Sequence, residues 1–163
     1  NSNFYYSFED LKGKKGTLVM FICNHCPYVI HALPEILMIA NDYRVQGIGI
    51  IAISSNDVEK YPQDGPDMMT EFAFNNSFDF PYLYDETQEV AKDFDAACTP
   101  DFYLFDSQDK LFYRGQLDDS RPSNGIPLSG SDLRNAIDAL IYNRSLPEIQ
   151  KPSLGCNIKW KQI

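Results

Sequence analysis

The 163-residue chain carries 14 Lys and Arg against 23 Asp and Glu, a formal net charge of −9, with 44% hydrophobic and 13% aromatic residues. That is enough apolar material for one folded domain spanning 1–163, and too much for a solvated, disordered chain. An acidic surface repels polyphosphate, which excludes nucleic acid as a partner. The apolar runs at 17–23 and 48–53 are bounded by Gly or polar residues, well short of the roughly 20 residues that span a bilayer, so no membrane partner is expected. The chain starts at Asn1 rather than Met, as after removal of upstream residues. Its compartment therefore stays open, with the cytoplasm favoured and a processed, exported form as the alternative.

Residues 17–23 form a continuous apolar run after the turn-like 13–16 and predict a buried strand. Residues 28–45 place Ile30, Leu33, Ile36, Leu37 and Ala40 on a helical face that Gly47 ends. Residues 49–54 predict a second buried strand, with Ser54, Ser55 and Asn56 as polar loop residues at its carboxyl end. A helix over 67–75 follows, then a short extended stretch at 80–84 and a helix over 86–94 capped by Asp85. Residues 102–105 and 111–115, joined by a turn at 106–109, predict an antiparallel hairpin. The last helix, 131–142, has Ser131 as cap and Leu133, Ile137, Leu140 and Ile141 on its buried face. The order β-α-β-α-β-α-β-β-α demands a parallel right-handed crossover followed by antiparallel strands. It predicts an α/β fold with a mixed central sheet and helices on both faces. Residues 117–130 and the tail from about 146 read as irregular surface segments.

Of the four cysteines, Cys23 and Cys26 stand three apart while Cys98 and Cys156 are isolated. A disulfide scaffold is smaller and denser in Cys, so this spacing points to redox chemistry or metal. The pair lies where the first strand passes into the first helix, so both thiols should sit at a helix N-terminus, whose partial positive charge favours thiolate. His25 between them adds a cation or a hydrogen bond. Cys23 is then the expected low-pKa nucleophile and Cys26, one helical step inside, the resolving thiol. Thr99-Pro100 precedes a strand at a position where a cis bond would bring extended backbone to the sulfurs without a competing N–H.

A strand-CxxC-helix unit followed by Thr-Pro and a ββα ending resembles the thioredoxin fold. More closely, the stretches 21–28, 80–87, 97–102, 113–121 and 155–160 resemble the peroxiredoxin-like, redoxin branch of the thioredoxin superfamily, over nearly the whole chain. The resemblance implies a thioredoxin-like fold and a thiol–disulfide oxidoreductase using Cys23, Cys26, His25, Thr99 and Pro100 on a protein or small-molecule disulfide, recharged by an unidentified thiol reductant. It also implies an alternative, a peroxidase in which Cys26 meets peroxide and Cys23 or Cys98 resolves it. Departures weigh toward disulfide exchange: Cys23 occupies the position of the peroxiredoxin Thr, and Thr99-Pro100 that of the activating Arg. Thr17 stands where thioredoxins carry a buried acid.

Blander readings accompany these. Cys98 is either a third redox thiol or an inert buried one, and Cys156 reads as a spare thiol in the tail. His31 reads as an ordinary surface or core histidine, and the 118–121 loop with Arg114 as a solvated, ion-paired segment, with a lining of the site as the alternative. A zinc or binding module would need two ligands beyond the pair, with only the isolated Cys98 and Cys156 or His25 and His31 to supply them. No metal and no cofactor is expected.

Overall fold

A computed structural model describes residues 4–163. A short helix α1 (Phe8–Leu11), opened by a Ser7–Asp10 capping box, precedes strand β1 (Gly16–Phe21). Helix α2 (Pro27–Arg44), strand β2 (Ile48–Ser54), a single 3-10 turn (Pro62–Asp64) and helix α3 (Pro66–Asn75) follow. Strand β3 (Tyr82–Tyr84), helix α4 (Glu89–Asp93) and strands β4 (Cys98–Thr99), β5 (Asp101–Asp106) and β6 (Leu111–Gly115) come next. Helix α5 (Ser131–Ile141) and strand β7 (Cys156–Asn157) complete the described elements. No helix among the described residues is long and apolar enough to cross a membrane.

The main sheet runs β3-β2-β1-β5-β6, parallel across β1–β2–β3 and antiparallel across β1–β5–β6. All six residues of β1 are buried, as a strand covered on both faces requires. Its alternation divides the core. Leu18 and Met20 pack with Ile36 and Ile39 of α2 and with Leu133 and Ile137 of α5. Val19 and Phe21 pack on the other face with Ala91 of α4, Tyr103 and Ile158, flanked by Phe8 and Leu11 of α1.

One register sets up the site. Phe21 pairs with Asp101 where antiparallel β1 and β5 meet, so the residues just past Phe21 lie beside those just before Asp101. Cys23 and the Thr99-Pro100 segment are thereby brought together from 76 residues apart.

Several expected details differ. Ser131 is the first residue of α5 and not its cap, which is Gly130 in the left-handed region at φ 66°. A Cβ there would lie 2.6 Å from the buried carboxylate of Glu35, so both conformation and space call for glycine. Asp85 does not begin α4. The helix starts at Glu89 behind Gln88, and the Asp85 carboxylate reaches its first turn from a distance, accepting from the N–H groups of Val90 (3.3 Å) and Ala91 (3.0 Å).

The largest difference is the tail. Residues 146–155 carry no regular structure and are mostly exposed, yet the segment is tied across the fold as a strap that ends in β7. Gln116 N–H donates to Lys151 O, Ser153 Oγ to Gly115 O, and β7 pairs antiparallel with β4. Ile158 beyond it is 3% exposed in the second core layer.

Candidate active site

Pro27 occupies the first turn of α2, where its missing N–H costs nothing and its φ is already helical. Cys26 is therefore the N-cap, with extended backbone, and Cys23 lies in the bend between β1 and α2. The sulfur directly on the helix N-terminus is therefore that of the second cysteine, with Cys23 three residues before it.

Contacts converge on Cys26, whose Sγ donates to Thr99 O at 3.4 Å and toward Cys156 Sγ at 2.6 Å. Its thiol is lowered to about 4, first by a hydrogen bond from Cys23, with Cys156, Thr99 and the Val29 backbone adding to this against burial. Cys23 moves well above its ordinary value, first because it gives that hydrogen bond and keeps its proton, then by burial and by the negative charge of Asp64. The two sulfurs are thus pulled in opposite directions, Cys26 toward thiolate and Cys23 toward thiol.

The Thr99–Pro100 peptide bond is cis, and Thr99 touches both sulfurs of the pair. Its Oγ1 lies 3.6 Å from Cys23 Sγ and its carbonyl 3.4 Å from Cys26 Sγ. Cys98 donates to Pro100 O at 3.7 Å and is pushed up to about 12 by burial and the nearby Asp101 carboxylate. Cys156 stands nearer: its Sγ is 2.6 Å from that of Cys26.

A further group was invisible in the sequence. Asp64, wholly buried at the end of the 3-10 turn, accepts from Asn24 N–H at 2.9 Å and from Asn56 Nδ2 at 3.0 Å. His25 Nδ1 approaches the same Oδ2 that accepts from Asn56, at 2.6 Å and off hydrogen-bond alignment, and the His25 ring stacks on Tyr61. Asp64 thus brings a buried carboxylate from a different element, while Thr17, at the position compared with thioredoxin, is spent on a hydrogen bond from Gly13 N–H. Cys23, His25 and Asp64 have ligand atoms within 4.8 Å of one another. They could hold one cation, one donor short of a closed four-ligand zinc site. Neither Cys98, Cys156 nor His31 belongs to that group.

His31 instead contacts Ser120 at 2.7 Å, and Arg114 lies over the Tyr103 ring and donates to Asp95 O. Asp118 is 2% exposed and accepts from the N–H groups of Ser120, Ser129 and Gly130. That loop is built around buried hydrogen bonds and is less solvated than expected.

A mixed sheet with a cysteine on the N-terminus of α2 and a cis-proline segment against it defines the thioredoxin class of α/β protein. A profile of the Redoxin family matches residues 4–134, and the chain belongs to that family within the thioredoxin superfamily. Among solved structures, an uncharacterized conserved protein from Geobacillus kaustophilus is 59% identical, with TM-score 0.91 over 94% of this chain and 81% of that one. A hypothetical protein from Sinorhizobium meliloti 1021 is 41% identical, with TM-score 0.93 over 96% of this chain and 85% of that one. A thiol-disulfide isomerase from Corynebacterium glutamicum shares the fold at 20% identity and TM-score 0.67, covering 85% of this chain and 88% of that one. No curated protein matches the chain.

Proposed function

We propose that the protein is a thiol–disulfide oxidoreductase in which Cys26 attacks and Cys23 resolves. The observation that carries this is the position of Cys26 as N-cap of α2, on the positive end of the helix, with its sulfur against the cis-proline segment through Thr99 O at 3.4 Å.

The Cys26 thiolate attacks one sulfur of a protein or small-molecule disulfide. The substrate S–S bond breaks, the far sulfur leaves as a thiolate and takes up a proton, and a mixed disulfide forms on Cys26. Cys23 then gives up its proton toward the Asp64–His25 pair and attacks Cys26 Sγ. The Cys23–Cys26 disulfide forms, and the second substrate thiol leaves. Substrate gains two electrons, the protein loses two, and an external thiol reductant restores it. No cofactor takes part.

Insulin reduction tests the assignment. Cys26→Ser abolishes turnover, and Cys23→Ser stalls as a mixed disulfide at Cys26. The reverse pattern, with Cys23→Ser silent and Cys26→Ser trapping substrate, overturns it.

The place of Cys26 on the helix also supports a second reading, a peroxidase in which Cys26 sulfur takes an oxygen from peroxide and Cys23 displaces water from the sulfenic acid. Stopped-flow oxidation no faster than that of free cysteine removes this reading.

A further inference from the structure

Cys26 is fully buried and Cys23 is 1% exposed, so a substrate disulfide meets neither while the chain is arranged as described. Against Cys26 lies the protein's own strap. Strand β7 pairs antiparallel with β4, with Cys156 opposite Thr99, along the backbone edge that immediately precedes the cis-proline. An extended segment therefore already lies across the sulfurs, and it carries a thiol at the register position nearest them.

The fit is built from both ends. A Cβ on Gly155 would fall 2.0 Å from Thr99 O, so only glycine lets the strap come this close. Beyond Cys156, Ile158 N–H donates to Ala97 O, Lys159 N–H to Asn56 Oδ1, and Asp57 N–H to Lys159 O. Buried Gln88, the residue that caps α4, holds the same segment, donating to Lys159 O and accepting from Lys161 N–H. This much anchoring places Cys156 Sγ 2.6 Å from Cys26 Sγ, against about 2.05 Å for a formed disulfide. Unlike Cys26, Cys156 is only partly buried.

We propose that Cys156 is a second disulfide partner of Cys26, relaying oxidation from the buried pair to an accessible sulfur. The proposal rests on Cys26 being the reacting thiol, as read above. Starting from the Cys23–Cys26 disulfide, Cys156 loses its proton and its sulfur attacks Cys26 Sγ. The old bond breaks, Cys23 leaves as thiolate and takes up a proton, and a Cys26–Cys156 disulfide stands in its place with no net electron change. An external thiol then attacks Cys156, the reachable sulfur, and expels Cys26, the thiol whose anion the site holds best and thus the better leaving group. A second thiol resolves the resulting mixed disulfide on Cys156 and completes a two-electron reduction.

Disulfide mapping of the full chain tests this. After oxidation with a stoichiometric disulfide oxidant and alkylation, non-reducing tryptic digestion separates two outcomes, because Cys23 and Cys26 share the peptide 16–44 and Cys156 lies on 145–159. The relay predicts that Cys23→Ser yields the 16–44/145–159 cross-link as its main product, and that wild type yields both this and the internal disulfide. It also predicts that Cys156→Ser, oxidised to the internal disulfide, is re-reduced by glutathione about tenfold more slowly than wild type, since only buried sulfur remains for attack. The proposal is overturned if Cys23→Ser leaves Cys156 alkylatable with no cross-link, or if Cys156→Ser re-reduces at the wild-type rate. Those results with normal insulin turnover remove only the relay. A wild type inert toward disulfides, whatever the cross-link, removes the reading beneath it.

Discussion

The carboxylate of Asp64 and the imidazole of His25 meet 2.6 Å apart, both within 4.8 Å of the Cys23 sulfur. The acid enters from the turn after β2 and the histidine from within the cysteine motif itself. Asp64→Asn keeps an oxygen for Asn24 N–H but loses acceptance from Asn56, and should cost about 1–3 kcal/mol in urea unfolding. It should also slow the second chemical step by about 10²-fold while leaving alkylation of Cys26 unchanged. Stopped-flow decay of a fluorescent mixed disulfide on Cys26 separates the two, and an unaltered decay rate removes Asp64 from the proton transfer.

The lowered Cys26 thiol has a definite pH signature. Its pKa falls from the ordinary 9.0 to about 4, so thiolate is populated above the lower value. Iodoacetamide labelling of Cys26, read by mass spectrometry, should be flat at neutral pH and decline as pH drops through about 4. A rate that climbs only toward pH 9 contradicts the arrangement of donors. The sign for stability follows from the same shift: between these two values the unfolded chain binds one more proton at this group, so the reduced protein should lose stability as pH falls across that window.

Loosening the strap should expose the thiolate. Gly155→Ala forces a methyl against Thr99 O and should destabilise by about 1–3 kcal/mol. Gln88→Ala removes the hydrogen bonds that hold Lys159 and Lys161 without touching the cysteines. Both variants should label faster at Cys26 than wild type at neutral pH, and Gln88→Ala should lose amide protection at residue 161 in hydrogen exchange. Labelling at the wild-type rate in both would mean that the strap does not control access.

Away from the site, Arg134 joins α5 to α2 through Glu35 at 2.5 Å and Asp42 at 2.9 Å. Glu35 is 6% exposed, so removing its partner leaves a carboxylate with little solvent. Arg134→Ala should cost about 2 kcal/mol, less than a wholly buried pair because Arg134 itself meets water. A chemical denaturation midpoint indistinguishable from wild type refutes this.

The sheet and most helices were legible because their signals are local. The run 17–23, the period of 28–45 and the hairpin at 102–115 each sit within one element, and the pattern of β1 alone divides the two core layers. The Thr99-Pro100 segment could be placed near the cysteines from its offset before a strand. That Cys26 is the cap of α2 rather than inside its first turn was a finer point the pattern left open, and Pro27 after it was the available clue. Asp64 lies in a Pro- and Gly-flanked turn whose composition suggests only a surface bend. Cys156 looked idle because nothing local announces a two-residue strand. Its partner is 130 residues away, and the glycine before it gains meaning only against the backbone it touches.

Synthesis gives the strap a temporal meaning. A chain emerging from its N-terminus contains Cys23, Cys26, the cis-proline segment and all five strands of the main sheet by residue 115, and α5 by residue 141. The cover over the thiolate arrives later. Among the described residues, the stretch that shields the sulfurs is thus the last to be made, after every element that holds them.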